Sequence, residues 1–211
     1  GTLLNQDGTS TEYNLSDYSS KQIAPELIRV DQNTLALSFF NSDNKVFFQL
    51  LNNNLEKIGE AIPVYEGGSE QANDNRPHIM SSNYNSDGDF FIGYTGGGSS
   101  GKIYLQKYNA NASALWEENK EVASETGDNS INKLYPTSDN GLILIHDNQS
   151  FFEKAVRVTK LDNEGSIIHS SQMISESGVK SFYENSVNVG DGAFVVLRDE
   201  DQNIYAKYIL L

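Results

Sequence analysis

Three histidines, His78, His146 and His169, are all the imidazoles that the 211 residues offer to a base or a metal. None stands in an H-E-x-x-H or i, i+4 pair, the spacings that set two imidazoles on one helical face. His146, followed directly by Asp147, is the one whose neighbour adds chemistry, and it is a candidate ligand-binding residue. Cysteine is absent, which removes disulfides, thiolate metal sites and thiol nucleophiles together. Glycoside cleavage needs two carboxylates across a pocket, one kept protonated by apolar surroundings. With 29 acids present, the sequence singles out no such pair. The sialidase Asp-box S-x-D-x-G-x-x-W is missing, since Ser86-Asp87-Gly88 has neither its spacing nor its tryptophan. No G-x-S-x-G elbow, P-loop or dinucleotide fingerprint occurs either.

Hard oxygen donors are plentiful, so calcium is the ion these residues would suit. The run Asp199-Glu200-Asp201-Gln202-Asn203 makes Asp199, Asp201 and Asn203 candidate metal ligands, although the full D-x-D-x-D-G loop with a distal glutamate is not there. Asn5-Gln6-Asp7-Gly8 has the same partial character. Aromatic residues make up 10% of the chain, and Tyr and Trp give contact area at little entropic cost. Trp116 and the adjacent pair Phe151-Phe152 are the candidate stacking residues for a sugar ring or a protein surface.

What positions these groups is a repeat of about 50 residues, the signature of one supersecondary unit used several times. The copies cover about 23–75, 76–130 and 131–181, with a fourth assembled from 182–211 plus 1–22. Each holds four short runs rich in β-branched and aromatic residues, separated by Asn, Asp, Gly and Ser, which reads as strands joined by hairpins. In KIYLQKY, Ile103 and Leu105 face one side while Tyr104, Gln106 and Tyr108 face the other, a period of two. The second runs, residues 90–94, 142–145 and 193–197, are apolar at consecutive positions, the mark of strands buried on both faces. A four-stranded meander of this kind cannot cover its own faces and must stack on a neighbour. The expected architecture is all-β: a single propeller-like domain over 1–211, a ring of about four four-stranded antiparallel blades. The amino-terminal strand would close the last blade, residues 9–16 pairing with 203–211. A two-sheet sandwich is the structural alternative. Gly1 falls inside a repeat, the pattern expected where a leader or further domains have been trimmed away.

Around Gly88-Asp89-Phe90-Phe91-Ile92, Ile103-Tyr104-Leu105-Gln106-Lys107-Tyr108-Asn109 and Trp116, the chain resembles a loosely defined class of β-propeller-like repeats from secreted and surface proteins of bacteria. Asn140-Gly141-Leu142-Ile143 and Lys160-Leu161-Asp162-Asn163-Glu164-Gly165 carry the motif in the next copy. Asn111-Ala112 stands where the motif has its turn glycine, and one copy keeps the tryptophan. The resemblance implies an extracytoplasmic module of a larger polypeptide and no catalytic residues.

The formal charge of −14 repels phosphate backbones and anionic membranes, so nucleic acid is not an expected partner. No apolar run of spanning length occurs. The reading that follows is a non-catalytic binding or scaffolding module of a bacterial secreted or surface protein, whose partner is a protein or a glycan. A carbohydrate-binding lectin-like domain and a glycan-active hydrolase are the alternatives.

Overall fold

A computed structural model describes residues 2–4, 7–12, 14–15, 22–41, 45–65, 78–81, 88–96, 101–123, 127–149, 154–175 and 180–210, all of it strands, turns and bends. An amino-terminal hairpin pairs β1 (Thr2–Leu4) with β2 (Ser10–Glu12). Four antiparallel meanders follow. Sheet 1 holds β3 (Gln22–Arg29), β4 (Thr34–Asn41), β5 (Val46–Asn52) and β6 (Lys57–Tyr65). Sheet 2 holds β7 (His78–Ser81), β8 (Phe90–Gly96), β9 (Lys102–Tyr108) and β10 (Lys120–Ala123). Sheet 3 holds β11 (Asp128–Pro136), β12 (Leu142–Gln149), β13 (Lys154–Leu161) and β14 (Ile167–Met173). Sheet 4 has three strands, β15 (Ser181–Val189), β16 (Gly192–Asp199) and β17 (Ile204–Leu210).

The sheets stack face to face in chain order because consecutive residues of each second strand point to opposite sides. Ala36 and Phe48 of sheet 1 pack on Phe90 and Ile92 of sheet 2. Phe91 and Leu105 of sheet 2 pack on Leu142 and Leu144 of sheet 3, and Ile143 and Val156 of sheet 3 pack on Ala193 and Val195 of sheet 4. Each sheet thus has a trailing face toward its predecessor and a leading face toward its successor. On the trailing face of sheet 1, Leu37, Phe39 and Phe47 are met by Leu15, next to the amino-terminal hairpin.

Two expectations are corrected. The amino-terminal strand does not complete the last sheet: β2 pairs with β1, and among the described residues β17 pairs with β16 alone. Leu3 and Leu4 repeat the end of a third strand, so they take the edge of β2 that β17 was expected to fill. Asp7 fixes that local hairpin, its Oδ1 accepting from the Thr9 amide at 2.9 Å and hydroxyl at 2.7 Å. The sheets therefore form a row rather than a ring closed through the termini. The second correction concerns residues 193–197, where Phe194 is 43% exposed because nothing described lies on that side of sheet 4.

Candidate functional site

The repeat allows position-by-position comparison, because Leu35, Phe90, Leu142 and Ala193 each pair with one of the last two residues of the third strand, namely Leu51, Tyr108, Leu161 and Ile209. A glycine confirms the fourth match: a Cβ on Gly141 would strike the carbonyl of Leu161, and one on Gly192 that of Ile209. Counting five residues on from these anchors gives Phe40, Thr95, Asp147 and Arg198. Three of the four are apolar, neutral or basic. Only sheet 3 places a carboxylate there.

Asp147 sits near the end of β12 on the leading face, in a side chain 13% exposed. Its Oδ1 accepts from Asn132 Nδ2 at 2.8 Å, and its Oδ2 lies 3.4 Å from Lys154 Nζ. Asn132 reaches it because β11 bulges there: Ile131 pairs with His146 and Lys133 with Ile145, leaving Asn132 as the extra residue that turns toward β12. Burial lifts the Asp147 carboxyl above its ordinary value of 3.8, and the Asn132 hydrogen bond and the Lys154 charge offset only part of that rise. Across the sheet interface stands Tyr183, whose hydroxyl bonds Ser186 Oγ at 2.7 Å while Tyr135 bonds the same oxygen at 2.8 Å. Burial raises the Tyr183 phenol, and the charge of Asp147 adds to that rise.

Sheet 4 repeats the device with other residues. β15 bulges between Tyr183 and Asn185, opposite Leu197 and Val196, and the extra residue Glu184 binds Arg198. Glu184 and Arg198 therefore occupy the places that Asn132 and Asp147 hold one sheet earlier. Between the two pairs lies Phe182, with Lys154 Nζ and Arg198 Cζ each 4.7 Å from its ring centroid.

His146 is fully buried and, being next to Asp147 in an extended strand, points to the opposite face of the sheet. The two side chains do not form one site. Trp116 is 6% exposed and acts between sheets rather than as a platform: its Nε1 donates to the Asn163 carbonyl at 3.0 Å, and its ring lies against Phe91 and Gly165. Beside it is a depression of about 430 Å³ that also includes Lys107. That ammonium, its side chain 3% exposed, contacts Asp89 at 3.3 Å, Asn163 Oδ1 at 2.5 Å and the Asn140 carbonyl at 3.4 Å. Phe151 and Phe152 lie outside the described residues.

The candidate calcium loop is a turn. Asp199 Oδ1 accepts from the Asn203 amide at 2.8 Å, its Oδ2 accepts from Asn203 Nδ2 at 2.9 Å, and Gln202 takes φ +69°. The same bond from an oxygen at position i to the amide at i+4 recurs at Asn52 and Glu56, Asn109 and Ser113, and Asp162 and Ser166. An amide serves there as well as a carboxylate, so the charge of Asp199 is not what the position requires. Among the described residues no group of three or more His, Asp or Glu side chains is placed to hold a metal ion.

No protein family matches the chain, and no curated protein does. Solved structures do. A thermostable family-43 glycoside hydrolase is similar at TM-score 0.55 and 12% identity, over 95% of this chain and 72% of that one. The endo-arabinase of Bacteroides thetaiotaomicron is similar at TM-score 0.52 and 10% identity, over 90% and 75%. A polysaccharide lyase of family 25, an ulvan lyase, is similar at TM-score 0.52 and 8% identity, over 90% and 56%. At these identities the likeness is one of fold: an all-β chain of antiparallel sheets similar to β-propeller glycosidases.

Proposed function

We propose that this chain acts on a glycan and that Asp147 is its proton donor. One observation carries the reading: a largely buried carboxyl, raised above 3.8 by burial, stands where the equivalent positions hold Phe40, Thr95 and Arg198. A repeat position that departs from its copies toward a carboxyl that is costly to bury is where chemistry is to be sought. The fold neighbours, two glycoside hydrolases and a polysaccharide lyase, support a glycan as the substrate class. They favour the glycan-active alternative over a non-catalytic scaffold. Hydrolysis calls for a second carboxylate, and Glu184, presented by the equivalent bulge in the first strand of sheet 4, is the residue we assign to it. An extracytoplasmic location accords with a polymeric substrate; no described helix is long and apolar enough to cross a membrane.

The test is release of reducing ends from a panel of polysaccharides that includes arabinan and ulvan. The wild-type chain releases them from at least one, Asp147→Asn lowers the rate by about 10²-fold or more, and Glu184→Gln lowers it too while both variants still bind the polymer. Release that survives Asp147→Asn removes this site from the chemistry. Binding with no release from any polymer leaves a lectin-like module instead.

A further inference from the structure

The leading face of sheet 4 is built as a blade interface and has no blade on it among the described residues. One residue past the anchors Leu35, Phe90, Leu142 and Ala193, the leading face of the second strand carries Ala36, Phe91 and Ile143 in sheets 1 to 3, exposed by 0%, 0% and 1%, and Phe194 in sheet 4, exposed by 43%. Paired with Phe40, Thr95, Asp147 and Arg198 on the third strand are Val46, Ile103 and Val156, each 0% exposed, and Ile204, exposed by 70%. Val187 and Tyr208 flank Phe194 in register across the three strands, exposed by 58% and 48%, and the Phe194 and Tyr208 rings touch at 4.8 Å between centroids. Contiguous apolar surface of this kind marks a binding face rather than a solvated one.

At the other end of the row, the trailing face of sheet 1 is met by Leu15, just past the β1–β2 hairpin. That hairpin corresponds to the third and fourth strands of a blade. Its β1 has β2 on one edge only among the described residues, where the complete sheets have a first and second strand.

We propose that the leading face of sheet 4 docks a two-stranded antiparallel hairpin of this same repeat, a first and second strand from another polypeptide segment, which adds a further sheet to the row. The occupant follows from continuity with the three interfaces inside the chain. In each, a leading face receives alternate apolar residues of a second strand: Phe90 and Ile92, Leu142 and Leu144, Ala193 and Val195. A hairpin with that alternation would cover Val187, Phe194, Ile204 and Tyr208.

The experiment adds to the whole chain a synthetic peptide with the sequence of residues 128–149, the β11–β12 hairpin, and follows binding by fluorescence anisotropy and amide exchange. Saturable binding is expected, with exchange slowed at least fivefold in 204–210. Phe194→Asp and Tyr208→Lys, both on the surface, should each weaken binding tenfold or more while the chain keeps its far-ultraviolet spectrum. A peptide with Leu142 and Leu144 changed to Ser should not bind. The proposal is overturned if binding is insensitive to Phe194→Asp. It is equally overturned if light scattering shows a dimer that Phe194→Asp dissolves, since a second copy would then be the occupant.

Discussion

Asp147 is the residue on which opposite demands meet. Its carboxyl titrates above 3.8 in the folded chain, so over the pH range beginning there the folded state keeps a proton that the unfolded chain has released. Its contribution to stability therefore falls as pH rises through that range. Asp147→Asn has no proton to lose, and urea unfolding should show the stability of wild type relative to the variant declining from pH 3.8 upward. A difference that grows instead would mean that Lys154 and Asn132 outweigh the cost of burial. Asp139 works the other way. Its carboxyl is held below 3.8, chiefly by the Thr137 hydroxyl, so its contribution is present above that value and is lost toward acid in both proteins. The sequence put His146 forward and left Asp147 as its neighbour, since single-residue chemistry favours an imidazole. The better signal was the mismatch of Asp147 with Phe40, Thr95 and Arg198, which becomes visible only when the copies are aligned by strand register.

At the scale of the element, the outer turns show what each copy does with one demand. The residue three past the turn's first oxygen takes positive φ in each of the three four-stranded sheets: Leu55 at 62°, Ala112 at 64° and Gly165 at 81°. Leucine and alanine are strained there and glycine is not. Ala112→Gly should raise thermal stability by about 0.5–1 kcal/mol. Gly165→Ala should lower it by more than about 1 kcal/mol, because φ is unfavourable and the new Cβ would lie 2.8 Å from the Trp116 ring. Calorimetry of the two variants checks both signs. These turns were legible in the sequence as Asn-rich and Gly-rich breaks at a fixed place, and so were the strands between them, because period-two alternation and turn chemistry are local. The bulges in β3, β11 and β15 were not legible, since an extra residue in a first strand leaves no mark until its partner strand is known.

The molecule as a whole is a row of interfaces, and its stability should behave as a sum of sheets and of the contacts between neighbours. Trp116 ties sheet 2 to sheet 3, so Trp116→Ala should cost about 3–5 kcal/mol. Amide exchange in the variant should quicken in β9 and β13 before it does in β4. Uniform quickening would show that the row unfolds as one unit. The all-β character and the antiparallel meanders in chain order were readable from the repeat. Closure was not, because Leu3 and Leu4 and Ile209 to Leu211 fit the same third-strand pattern, and composition cannot say which of two equal strands takes an edge.

The twin bulges of β11 and β15 have a consequence for how such a molecule can change. Each is a socket that seats one side chain from a first strand against one from a second, and the two sockets already hold an amide with a carboxylate and a carboxylate with a guanidinium. Reactivity can thus be exchanged at these paired seats while the surrounding ladder stays as it is, so that neighbouring copies can diverge in what they do long before they diverge in shape.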